Sequence, residues 1–306
     1  MRVMLWHVHG SWTNAFVRGQ HTYLLPTLPE GGAWGGGRGG HDWPATVEMG
    51  PAELADTDVD VVVLQRTEEI ELAERWLGRR PGRDVPAVFV EHNTPKGNPH
   101  PLADREDVLV AHVTHFNQWM WDTGRAPTTV IEHGIEEPAA RYTGDIARAA
   151  VVTNEPVRRW RITGTDLMPR FAPIDVFGMG LDGLDFEGVT PIGDLPHERL
   201  HPEVARRRVY LHLTRWTSLG LSLIEAMQIG MPVVCLAATE SVEAVPPEAG
   251  ILSTNLDVLA TGLRELMAEP ELAARMGKQA REHALRRYGL ARFLADWDEL
   301  LAAVRR

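Results

Sequence analysis

Short apolar runs alternate with amphipathic or polar stretches along the whole chain. In the first half, residues 3–8, 59–64, 85–90, 108–113 and 128–131 read as buried strands. Between them lie helical or loop segments such as 68–77 and 116–122. The second half repeats the alternation, with strands near 149–153, 174–178, 189–192, 209–213 and 232–236. Helices are expected at 221–229, 257–267, 272–288 and 290–304. Strands that alternate with helices predict parallel sheets covered on both faces. The order breaks at residues 136–144, where Pro, Gly and polar residues mark a boundary. The expected organisation is an N-terminal Rossmann-like domain (1–139), a C-terminal Rossmann-like domain (140–289) and a closing helix (290–306).

A length of 306 residues suits two domains, and a 44% hydrophobic fraction is enough for two cores. The formal net charge of −11 argues against a nucleic-acid partner, which would need a basic face. Cys235, in the apolar run PVVCL, reads as a buried strand thiol. A single cysteine excludes an internal disulfide and suits a reducing compartment. The opening MRVMLWHVHG turns polar too quickly for a signal peptide, and no apolar run approaches the ~18 residues of a spanning helix. A cytoplasmic protein without integral membrane association is expected.

The densest chemistry lies in residues 214–234, TRWTSLGLSLIEAMQIGMPVV. A strand runs into a small polar turn, a helix follows, and Gly230 stands where a helix C-cap wants positive φ. The turn Ser218-Leu219-Gly220 offers free N–H groups at a helix N-terminus, a place for a diphosphate. Glu225, one turn in, is placed to accept hydrogen bonds from sugar hydroxyls. The plain alternative is a buried βαβ unit whose Glu225 faces solvent.

Ligands in open α/β sheets bind beyond the carboxyl ends of the strands. That rule groups His7, His9 and Gly10 after the first strand, His92 and Asn93 after the third, and His115 and Asn117 after the fourth. Arg158, Arg159 and Arg161 follow the strand that opens the second half. Asp56, Asp58 and Asp60 fall at the opposite edge and read as turn chemistry. The Gly-rich stretch 31–40, GGAWGGGRGG, lacks the Lys-Ser/Thr pair of a P-loop. It reads as a mobile loop or as a flap over an acceptor site.

The run HLTRWTSLGLSLIEAMQIGMPVV resembles the donor-site signature of retaining glycosyltransferases of family four, which have the GT-B fold. The resemblance continues through GILSTNLDVLATGLRELMAEPELAARMGKQAREHALRRY and is specific over residues 190–288. In the first half it rests on VIEHGI and VFVEHN. It implies two Rossmann-like domains with parallel sheets facing across a cleft, and a C-terminal helix packing back toward the first domain. It also implies a nucleoside-diphosphate-sugar donor on the second domain, an acceptor on the first, no cofactor and no metal; the first domain is short for the family, which suggests a small-molecule acceptor.

Carried over residue by residue, Glu225 matches the second glutamate of the family's paired-glutamate motif, which binds the donor ribose. Thr217 stands where the first glutamate belongs; its hydroxyl can bond a sugar but carries no charge. Arg158, Arg159 and Arg161 are the available diphosphate cations, with no Lys among them. His92 resembles the active-site histidine that contacts the donor sugar. Gly10 and Gly19 are expected where backbone approaches the donor, with Gly180 and Leu195 near the base. Trp12, His21, Trp43, Asn93 and Asn117 are expected on the acceptor side, and Trp119 is a further candidate for stacking on a sugar ring. Two other readings stay open: a non-catalytic nucleotide-sugar-binding protein, suggested by Thr217, and a metal-dependent hydrolase using His7 and His9 on one strand face.

Overall fold

Thirteen strands in two all-parallel sheets account for the β structure of the computed structural model, which describes residues 1–305. The chain divides into two units: Met1–Ile135 together with the segment from Leu290 onward, and Glu136–Gly289.

The N-terminal unit holds β1 (Arg2–Leu5), β2 (Thr22–Pro26), β3 (Thr46–Met49), β4 (Val61–Leu64), β5 (Ala87–Glu91), β6 (Leu109–His112) and β7 (Thr128–Val130). Their order across the sheet is β3-β2-β1-β4-β5-β6-β7. Val61, Val62, Val63 and Leu64 are all fully buried, the signature of a strand covered on both faces. One face packs a core of Trp12, Phe16, Trp43 and Tyr23 with the C-terminal helix Leu290–Val304. That helix contributes Phe293, Trp297 and Leu301, each at most 1% exposed, at about 1.5–3 kcal/mol per buried side chain. The other face holds Met4, Trp6, Leu54, Trp76 and Phe89.

The second unit holds β8 (Ile146–Val152), β9 (Ile174–Phe177), β10 (Val189–Gly193), β11 (Arg207–His212), β12 (Val233–Leu236) and β13 (Gly250–Ser253). Their order is β10-β9-β8-β11-β12-β13. The helix Leu221–Ile229 crosses from β11 to β12 and ends at Gly230, whose φ of 100° only glycine adopts freely. The Pro270–Arg287 helix lies against that end: a Cβ at Gly277 would meet the Gly230 carbonyl oxygen at 2.0 Å.

Three strands stand where none was expected: β2, β3 and β13. β1 ends at Leu5, short of the expected residue 8, so His7 and His9 lie in the loop beyond it. The expectation that they share one strand face is therefore corrected. The His7 ring packs edge-on to His41 and Trp43, at 5.2 and 4.8 Å between centroids, whereas His9 lies 4.0 Å from His92. An open seven-stranded sheet also differs from the closed barrel that the hydrolase reading needs. The Gly-rich stretch is built, with a short helix Gly32–Gly35 and a Thr27–Gly36 bridge.

Candidate functional site

In the second sheet the strand order reverses between β8 and β11, the switch point at which open α/β sheets bind ligands. Two loops leave the carboxyl ends of those strands. After β8, Glu155 N–H donates to the Met179 carbonyl at 2.7 Å, and Met179 N–H donates to Asn154 Oδ1 at 3.0 Å. Close approach demands glycine here: a Cβ at Gly178, φ 130°, would lie 2.1 Å from the Thr153 oxygen. Gly180, φ 67°, sits in the same loop and packs on Glu155. Leu195 is half-buried in the loop after β10.

The helix Pro156–Thr163 then carries the three arginines, which the structure separates. Arg158 pairs with Glu155 and is 73% exposed. Arg161 is 75% exposed and reaches Asp166 at 3.3 Å. Arg159 is half-buried, and its Nη2 donates to Thr217 Oγ1 at 3.1 Å. Burial, followed by the neighbouring Arg158, lowers the Arg159 guanidinium from its usual range, yet guanidinium stays charged.

After β11, the turn is fixed from several sides. Arg215 forks onto Asp166 at 2.6 and 3.0 Å and donates to the Arg161 carbonyl at 2.9 Å. Ser218 and Leu219 are buried, and Ser218 O accepts from Glu240 N–H at 3.3 Å. Gly220 is the extended N-cap of the Leu221–Ile229 helix. Tyr210 OH donates to Ser222 Oγ at 2.9 Å, which donates to the Val152 carbonyl at 3.3 Å. The helix start is thereby tied to both strands of the switch point. Below Gly220 lies His212, whose imidazole burial holds at a pKa of about 4, so it is neutral at pH 7. Glu225 is 15% exposed, and its Oε2 stands 3.4 Å from His201 Nε2.

In the N-terminal unit, β5 ends at Glu91, a buried carboxylate. Its Oε1 accepts from Asn93 N–H at 2.6 Å and its Oε2 from His100 Nε2 at 3.0 Å. His100 Nδ1 accepts from Leu102 N–H at 3.1 Å, so the proton is on Nε2 and His100 is neutral. This latch fixes His92 and Asn93 at the strand exit. His92 Nε2 is buried without a hydrogen-bond partner, and the ring stands between His9 and His133, at 4.0 and 6.2 Å. Burial first, then these two imidazoles, pushes the His92 pKa well below the usual histidine range.

Five expected positions need correction. Gly19 and His21 follow the Gly10–Phe16 helix and precede β2, so they lie at the opposite sheet edge from Gly10. Gly19 is required by Tyr23, whose hydroxyl would be 2.3 Å from a Cβ there, and His21 pairs with Asp298 at 3.0 Å. Trp12 is 2% exposed, stacked on Phe16 at 4.7 Å; Trp43 is equally buried and donates to Asn14 Oδ1 at 3.0 Å. Neither ring has a face for a sugar. Asn117 is fully buried at the start of the His115–Met120 helix, with Nδ2 toward the Glu91 carbonyl. Trp119, by contrast, is 79% exposed.

Residues 187–283 match the family model of glycosyl transferases group 1. Sucrose-phosphate synthase from Thermosynechococcus elongatus superposes with a TM-score of 0.75 at 15% identity, covering 99% of both chains. HepE from Anabaena, solved in complex with UDP, gives 0.75 at 14% identity over 99% of this chain and 100% of its own. A glycosyltransferase from Rickettsia africae gives 0.70 at 11% identity over 99% and 98%. No curated protein matches the chain in sequence. The chain has the GT-B fold, and residues 187–283 are similar to glycosyl transferases group 1.

Sequence reasoning missed four residues around this switch point: His201, Arg215, His212 and Ser222. Arg215, Ser222 and His201 act through partners distant in sequence and His212 packs under Gly220, so no local motif marks them. The tyrosine-serine-carbonyl chain from Tyr210 to Val152 is visible only in three dimensions. Among the described residues, no group of three or more His, Cys, Asp and Glu is arranged to hold a metal ion, and no helix is long and apolar enough to cross a membrane.

Proposed function

We propose that the protein transfers a glycosyl group from a nucleoside-diphosphate sugar to a hydroxyl acceptor, with retention and without a metal ion. The observation that carries this reading is the meeting of Arg159 and Thr217 at the β8/β11 switch point. A guanidinium there stands beside a turn whose N–H groups open a helix. Arg159 and the N–H groups of Ser218, Leu219 and Gly220 hold the diphosphate and stabilise the charge that grows on it as the glycosidic bond breaks. Arg158 adds charge from the exposed side. Glu225 accepts hydrogen bonds from the ribose hydroxyls, and Thr217 bonds a sugar hydroxyl. Backbone near Gly180 and Leu195 meets the base. The N-terminal unit takes the acceptor, with Gly10, His92 and Asn93 assigned to the exit loops of its strands.

The leaving diphosphate, held as an anion by these donors, takes the acceptor's proton, so no enzyme nucleophile is needed. Catalysis then depends on orientation and on electrostatic stabilisation of the leaving group. HepE's complex with UDP makes UDP the first nucleotide to try. A thermal-shift panel of uridine, guanosine and adenosine diphosphates tests the reading, because a ligand that binds only the folded state raises Tm. One of them is expected to stabilise the protein at sub-millimolar concentration, with the shift much reduced in Glu225→Ala. The same small shift with all three would remove the proposal.

A further inference from the structure

The N-terminal sheet has its own switch point, between β1 and β4, and a cavity of about 210 Å³ lies there. Its wall is formed by Trp6 and His7 just past β1, Pro26 at the end of β2, Arg66 just past β4, and Gly36 and Gly37 of the Gly-rich segment. That segment is shaped for its place. Gly37 N–H donates to the Pro26 carbonyl at 3.3 Å, and the next residue, Arg38, donates its N–H to Glu48 Oε1 at 2.8 Å. A Cβ at Gly37, φ 53°, would stand 2.2 Å from that carboxylate oxygen.

Arg66 is held rigidly. Its Nε donates to Glu69 Oε1 at 2.7 Å, where the glutamate side chain is fully buried. Nη2 donates to the Ala33 carbonyl at 2.9 Å, and the guanidinium lies 4.0 Å over the Trp34 ring. Nη1 keeps no partner among the described residues. Glu69 offsets the charge from behind, through the Nε edge. No carboxylate is among the residues of the cavity wall, in a chain of net charge −11. His7 is packed on Trp43 and His41 and its ring N–H bonds the Arg38 backbone, which leaves the other ring nitrogen as an acceptor.

We propose that this cavity anchors the acceptor by an anionic oxygen group, carboxylate or phosphate, set against Arg66, with His7 bonding a neighbouring hydroxyl. The proposal rests on the glycosyl-transfer reading and names the class of molecule that reading leaves open. At about 30 Å³ per water the cavity holds about seven waters, the space of a monosaccharide-sized group whose oxygens replace them. A fixed guanidinium with donors to spare suits a planar or tetrahedral oxyanion better than a neutral hydroxyl.

Calorimetry on the full chain without nucleotide tests this with glucose, glucuronate and glucose 6-phosphate. One of the charged sugars is expected to bind at least tenfold more tightly than glucose, and which one separates carboxylate from phosphate. Arg66→Gln is expected to erase that preference. Arg66→Lys, which keeps a cation against buried Glu69 and so guards against misfolding, is expected to cut it at least fivefold. Equal affinity for all three, no binding of either charged sugar, or an unchanged preference in Arg66→Lys would overturn the proposal. The UDP thermal shift, read separately in the same variants, reports on the donor site alone: its absence alongside charged-sugar binding would count against nucleotide-sugar transfer and leave the pocket standing.

Discussion

Arg159 Nη2 donates a hydrogen bond to Thr217 Oγ1 across 3.1 Å, joining a helix and a turn whose residues lie 58 positions apart. The pairing brings the cation that follows β8 to the turn that follows β11. In the proposed function it also leaves Arg159 its charge for a diphosphate, which a carboxylate in place of Thr217 would reduce by pairing with it.

Arg159→Ala is therefore expected to weaken UDP binding at least tenfold by calorimetry. Arg161→Ala, which loses only an exposed pair with Asp166, is expected to stay within twofold. Equal losses in the two variants would detach the diphosphate from Arg159.

Thr217→Val keeps the shape of the side chain and removes the oxygen that Arg159 uses. A hydrogen bond of about 1 kcal/mol corresponds to a several-fold change, so donor KM should rise about three- to sixfold. Steady-state kinetics with the donor found in the nucleotide panel would measure it, and an unchanged KM would mean that the contact does not orient Arg159.

His112 ends β6 fully buried, with neither ring nitrogen hydrogen-bonded, and burial holds its pKa at about 4. Glu91 and His100 face it across the neighbouring strand and loop. The depressed value makes the neutral form the native one. An unfolded chain takes up the proton below about pH 6.5, so stability falls as pH drops from about 6.5 toward 4. The full loss from this group is up to about 3 kcal/mol. His133, held at about 3 by burial and by His9 and Arg292, acts in the same direction. His112→Leu should flatten urea-denaturation stability between pH 7 and 4.5 without lowering it at pH 7, since the change removes two unpaired polar atoms. A steeper pH dependence in the variant would refute the account.

Trp297 is 1% exposed, packed on Trp12 at 5.6 Å and Phe16 at 5.0 Å. Trp297→Ala should cost about 3–5 kcal/mol, seen as an earlier urea transition of the N-terminal unit. An unfolding curve like that of the parent would separate the closing helix from that core.

The sequence was most legible where one apolar run meant one strand. The interior runs 61–64 and 233–236 are apolar throughout, and Leu290–Val304 and Leu221–Ile229 carry the helical period to their ends. β2, by contrast, is TYLLP, ending in the proline that usually closes a strand, and β3 is TVEM, whose alternation is only four residues long at the sheet edge. β13 opens on a glycine. At the candidate site, chain order placed Arg158, Arg159 and Arg161 together, but a non-helical Trp160 (φ 16°, ψ −85°) sends them to different partners. Trp12 and Trp43 illustrate the converse. An indole after a strand looks available on paper, and only packing decides that it is core.

The closing helix also bears on how the molecule comes off the ribosome. Phe293, Trp297 and Leu301 belong to the core of the unit that is translated first, yet they emerge after the whole of Glu136–Gly289. During synthesis the leading half therefore waits with an aromatic face uncovered, while the trailing half can already settle. The helix Leu290–Val304 acts as a completion seal, and a product lacking it would keep that aromatic face uncovered.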